Sequence, residues 1–122
     1  MHNAAFKTEF KKRLYRFTLS LIEFIDALPN NNVSRRLGDQ LLRSGTSIIA
    51  NFVEGQAGSS KKDFTNFMNI ALKSANESKL WISLLKDSKK ADNPTADILL
   101  KEAIEIANIL GPIVVNSRKK KD

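Results

Sequence analysis

The chain has no cysteine and a single histidine, His2. Disulfide frameworks, zinc–thiolate sites, iron–sulfur clusters and thiol nucleophiles are excluded together. One histidine also rules out Ser-His-Asp triads, HExxH zinc sites and the paired Glu-x-x-His motifs of di-iron bundles. There are only three prolines and five glycines in 122 residues. Gly55 and Gly58 lack the strand and the spacing of a phosphate-binding loop. The longest apolar stretch, Phe17 to Leu28, is broken by Ser20, Glu23 and Asp26 and is too short to cross a bilayer. Met1 to Phe10 holds no apolar targeting segment, so a cytoplasmic location is the expectation.

What is present is apolar surface and positive charge. The chain is 42% hydrophobic and carries a formal net charge of +7. That composition fits one globular domain with one core. Three breaks punctuate it: Pro29–Asn32, Gly55–Ser60 and Ala91–Pro94. The segments between them keep helical periods. Segment one places Phe6, Phe10, Leu14, Phe17, Leu21, Phe24 and Leu28 on one stripe. The second places Val33, Leu37, Leu41, Ile48 and Phe52; the third, Phe64, Phe67, Met68, Ala71, Ala75, Ser78, Trp81, Ile82 and Leu85. The fourth places Leu99, Ala103, Ile106, Leu110 and Ile113. The pattern predicts an all-α, up-down-up-down antiparallel four-helix bundle in a single domain, 1–122, with helices near 4–28, 33–57, 61–90 and 94–117 and a basic tail, 118–122. Ser60 with Asp63 predicts one helix start, and Asn93 before Pro94 another. Gly111-Pro112 either ends or kinks the last helix.

Ile22, Ile25, Ile98, Leu100, Ile104 and Ile109 fall off the main stripes. Surplus apolar faces on a small domain point to a second copy of the chain as partner.

Arg43 to Leu85 carries unusually many small and polar residues at core-type positions. Such residues weaken a core unless they meet one another. Antiparallel packing about Gly58 brings Arg43 level with Lys73 to Glu77, so a half-buried Arg43–Glu77 ion pair is expected; spacing leaves open whether it forms within one chain or between copies.

The run Leu42-Arg43-Ser44-Gly45-Thr46-Ser47-Ile48-Ile49-Ala50-Asn51-Phe52-Val53-Glu54-Gly55 resembles the signature R-x-x-x-S-I-x-x-N-I-x-E-G. That signature belongs to the four-helix proteins of bacterial 23S rRNA intervening sequences. Lys62 to Glu77 is similar to their second signature, D-F-x-x-F-x-x-I-A-x-x-S-x-x-E. Phe52 stands where isoleucine is usual. Relatives of this family include the accessory variability proteins of diversity-generating retroelements. The resemblance implies a homopentameric ring, nucleic-acid binding through basic surfaces, and work beside a reverse transcriptase or another nucleic-acid enzyme. It carries Arg43, Ser47, Asn51, Glu54 and Glu77 over as family features, here read as fold and assembly determinants.

Topology independently locates the charge. The bundle end that holds the N-terminus, the second loop and the C-terminus gathers Lys7, Lys11, Lys12, Arg13, Lys61, Lys62, Arg118, Lys119, Lys120 and Lys121. A clustered basic patch is the footprint of phosphate contact, which gives affinity without reading sequence. Aromatic stacking has one candidate, Tyr15. The expectation is a non-enzymatic RNA- or DNA-binding homo-oligomer with no metal or cofactor and no membrane partner. The alternative is a protein–protein scaffold whose charge only steers a partner.

Overall fold

The computed structural model describes residues 4–58 and 60–119. Four helices follow one another: α1 (Ala4–Asp26), α2 (Asn32–Ala57), α3 (Lys61–Asp87) and α4 (Asn93–Lys119). Each packs beside the next, and α4 closes against α1. The short connections make sequential neighbours antiparallel. Among the described residues, no helix is long and apolar enough to cross a membrane.

The helix ends explain where the chain turns. Asn31 caps α2, its side chain accepting from the Ser34 N–H at 2.9 Å. Ser60 caps α3, accepting from the Asp63 N–H at 3.0 Å. At α4 the sequence reading is off by one residue. Asp92, not Asn93, accepts from the Thr95 N–H (3.0 Å) and hydroxyl (2.6 Å). These two bonds hold the Asp92 carboxyl below its usual range. Pro94 therefore sits one position further inside, where its missing N–H is still no loss. Gly111-Pro112 does not end α4; the helix runs through to Lys119. Pro112 and Asn108 both face solvent, so the carbonyl deprived of its donor meets water. At the far end of α3, Lys89 takes a left-handed conformation (φ 62°) and the Lys90 N–H bonds back to the Leu85 carbonyl at 2.9 Å.

The core is the expected set of stripes. Phe10, Leu14, Phe17, Leu21 and Phe24 of α1 meet Leu41, Ile48 and Phe52 of α2, with Phe52 edge-on to Phe10 at 5.1 Å between ring centres. Met68, Ile82 and Leu85 of α3 and Leu99, Ile106, Leu110, Ile113 and Val114 of α4 complete it. Val33, placed on a core stripe by its spacing, is 48% exposed; in the first turn of α2 its neighbour Ser34 takes the inward position instead. Of the off-stripe residues, Ile98, Ile104 and Ile22 are exposed. Ile25, Leu100 and Ile109 instead pack against the core rim.

The small residues bring α2 close to its neighbours. A Cβ on Gly45 would overlap the Leu21 side chain, and one on Gly55 would overlap Met68 and lie 3.1 Å from the Phe67 Cβ. Between α2 and α3 the serines meet one another. Ser44 and Ser78 share a hydrogen bond of 2.8 Å, and the Ser74 hydroxyl donates to Ser47 at 2.8 Å. Ser78 also donates to the Ser74 carbonyl at 2.9 Å. Asn51 donates to the Ser47 carbonyl (2.8 Å) and hydroxyl (2.9 Å). Every serine of this ladder is thus satisfied, which is the condition for burying it. The expected Arg43–Glu77 pair is absent within the chain. Both residues are exposed, one position from the Ser44–Ser78 bridge, and neither has an ion-pair partner among the described residues. Hydroxyls, not charges, fill the seam: Ser44 and Ser78 hold the inward positions, and Arg43 and Glu77, one residue earlier on each helix, turn outward.

Candidate nucleic-acid interface

The start of α1, the end of α2, the start of α3 and the end of α4 share one end of the bundle, and the basic residues follow from that topology. Phe10 against Phe52 and Thr65 against Ser117 fix the levels. Lys7, Lys11 and Lys12 are exposed on the first turns of α1, Lys62 on the first turn of α3, and Arg118 and Lys119 on the last turn of α4. Cations at a helix C-terminus are favoured there by the backbone dipole. Lys61 is half-buried and already engaged with a neighbour. Lys120 and Lys121 lie outside the described residues.

Arg13 departs from its expected role. Its guanidinium grips Glu102 with two bonds, 2.7 and 2.8 Å, and Glu105 with a third of 2.6 Å. The bond to Glu102 chiefly raises the Arg13 pKa and holds the Glu102 carboxyl below its usual range. Two carboxylates neutralise this guanidinium, so it is not available to a phosphate. Nothing local in the sequence announces the contact, since Glu102 lies 89 positions away. Lys12 has only a loose pair with Glu9, 3.7 Å apart and largely exposed.

The two bundle ends differ in balance. Among the described residues, the acids at the basic end are Glu9, Glu54 and Asp63. The opposite end holds Arg35, Arg36, Lys86, Lys89 and Lys90, matched by Asp26, Asp39, Asp87, Asp92 and Asp97. Lys86 and Asp97 pair directly at 2.5 Å. Arg35 and Arg36 are bound to Asn30 and Asn32 at 2.8 and 3.0 Å. The net positive charge therefore collects at one end.

Tyr15 is 60% exposed, beside a shallow hollow of about 350 Å³ formed with Thr8, Lys11, Lys12 and Arg16. Two larger concavities, about 530 and 420 Å³, lie along the α1–α4 seam and share Ser20, Ile98 and Leu99. Of the motif residues, Ser47 bonds across the α2–α3 seam and Asn51 supports it from within α2, while Arg43, Glu54 and Glu77 lie exposed.

A search of curated proteins finds no match. A solved structure from Bacteroides thetaiotaomicron, described as a protein of unknown function from the S23 ribosomal protein family, is similar at 33% identity. The match covers 85% of this chain and 96% of that one, with a TM-score of 0.79. A family model described as 23S rRNA-intervening sequence protein matches residues 7–111, which include both signature runs and reach into all four helices. The chain belongs to the 23S rRNA-intervening sequence protein family.

Proposed function

We propose that this protein is a non-enzymatic, homo-oligomeric accessory that binds RNA or DNA through its basic end, with low sequence specificity. The observation that carries the reading is the charge imbalance between the two bundle ends. Lys7, Lys62, Arg118 and Lys119 stand exposed where few acids offset them. Released counterions, not base contacts, supply the affinity of such a surface. The family's name, which refers to 23S rRNA, and the relative's, which refers to a ribosomal protein, agree with a nucleic-acid partner. The family resemblance adds a ring of five and an enzyme acting on nucleic acid, such as a reverse transcriptase, as further partners. A ring would multiply the basic end by its number of copies. The cytoplasm is the proposed place of action.

Comparing the two ends tests this reading. A variant with Lys7, Lys62, Arg118 and Lys119 changed to alanine should lose binding to duplex DNA and RNA. Its salt slope should fall by about one for each phosphate contact removed. Lys86, Lys89 and Lys90 changed to alanine should leave both unchanged. Equal losses from the two ends would contradict a localised site. A scaffold reading is favoured by the exposed Tyr15, Leu19, Ile22, Leu42 and Val53. It predicts association that salt barely weakens.

A further inference from the structure

Tyr15 is the chain's one tyrosine, and the fold leaves it at the surface. It is 60% exposed on α1, while Phe10, Phe17 and Phe24 of the same helix are buried. Among the described residues, neither its hydroxyl nor its ring has a hydrogen-bond or ring-stacking partner. Thr8, Lys11, Lys12, Tyr15 and Arg16 stand at i, i+3, i+4, i+7 and i+8, so they share one outer face of α1. Helical side chains lean toward the N-terminus, which lays the Tyr15 ring over the turn of Lys11 and Lys12. The result is the hollow of about 350 Å³ on this face. Its floor is apolar, made of the ring and the aliphatic stems of the cations, and their charged heads form the rim.

The rim charges are largely uncompensated. Lys11 has no ion-pair partner among the described residues. Lys12 is held only loosely by Glu9, which lies 3.7 Å away and outside the hollow. Arg16 lies near Glu102, but Arg13 already occupies both oxygens of that carboxylate. An occupant that suits this site presents a flat apolar face and carries negative charge on either side of it. An unpaired nucleotide does both: its base stacks on the ring and its flanking phosphates meet the cations of the rim. A duplex does not, because its base faces are already stacked on one another. We propose that this hollow is a stacking site for an unpaired base, and that single-stranded segments are the nucleic acid this protein favours. The proposal rests on the nucleic-acid reading of the basic end and names the substrate class within it. Lys7 and Lys11 lie about one turn apart, so the hollow continues the exposed basic row along α1. Stacking tolerates any sequence, as phosphate contact does.

Abasic strands separate ring from charge, since they keep every phosphate and lack every base. Labelled single strands of equal length, with and without bases, are titrated with the protein by anisotropy at several salt concentrations. The native protein should bind the strand with bases roughly tenfold more tightly. Tyr15→Leu, with native helix content by circular dichroism, should erase that gap and leave the salt slope unchanged, because a neutral ring releases no counterions. Lys11→Ala with Lys12→Ala should instead lower the slope for both strands by about one for each phosphate contact removed. A strand bearing iodouracil should photo-cross-link at Tyr15, read by mass spectrometry of the peptides. Equal affinity of the native protein for the two strands overturns the stacking site and returns Tyr15 to a protein contact. So does a Tyr15→Leu chain that keeps the gap, or a cross-link confined to other residues. Binding of neither strand at low salt overturns the nucleic-acid reading itself.

Discussion

The seam between α2 and α3 and the seam between α1 and α4 are built from opposite materials. The first is narrow, lined by Gly55, Ser44, Ser47, Ser74 and Ser78, with its hydroxyls bonded across the gap. The second is open, with concavities along its length and one arginine holding two glutamates near the middle. Of the four neighbouring helix pairs, α2 and α3 pack together most extensively and α1 and α4 least. Small residues make a seam that tolerates almost no change in volume. Long charged residues make one that tolerates change but depends on pH.

The contrast can be broken from either side. The largest effect is expected from Ser78→Leu, which forces a larger, branched side chain into a fully buried site and deprives Ser44 of a partner. Overpacking and the lost bond together should cost about 3 kcal/mol, read from the shift of a urea unfolding midpoint. Ile98→Ala, in the open seam, should change that midpoint little.

A smaller effect is expected from Arg13→Met. The pair is partly exposed, so its loss should cost about 1 kcal/mol at neutral pH. The sign with pH follows from Glu102, whose carboxyl is held below its usual value of 4.5 by Arg13. Its contribution is full above that value and is lost as pH falls through the lowered folded value. The native chain and the variant should therefore converge in stability in acid, measured by thermal unfolding across pH. A constant gap down to strong acid would remove Glu102 from the account.

The smallest effect concerns neither seam. Lys89 occupies a left-handed position that glycine adopts without strain. Lys89→Gly should stabilise the chain by about 0.5–1 kcal/mol, read from the same urea midpoint.

The same contrast separates what the sequence makes legible from what it does not. The four helices and the tight seam are readable because periodicity and residue size are local properties. The density of Ser and Gly in Arg43–Leu85 is enough by itself to announce a close approach of helices. The ion-pair partners are not readable. Arg13 looks like one more cation at the basic end until Glu102 and Glu105 are found beside it. Arg43 and Glu77 look like a pair until Ser44 and Ser78 beside them prove to hold the inward positions, leaving both at the surface. Long side chains choose partners through the tertiary fold, so spacing alone cannot assign them. The α4 cap is misread for a different reason: Asp92 and Asn93 are both good caps, and only the bond to Thr95 decides between them.

The most direct test of the central claim is a salt titration of native protein against labelled duplex DNA and labelled structured RNA, followed by anisotropy. A basic end that acts through phosphates predicts a linear fall of log affinity with log salt. Its slope should correspond to about four or more released counterions, with little dependence on sequence. No binding at low salt and high protein concentration would contradict the account and turn the search toward a protein partner.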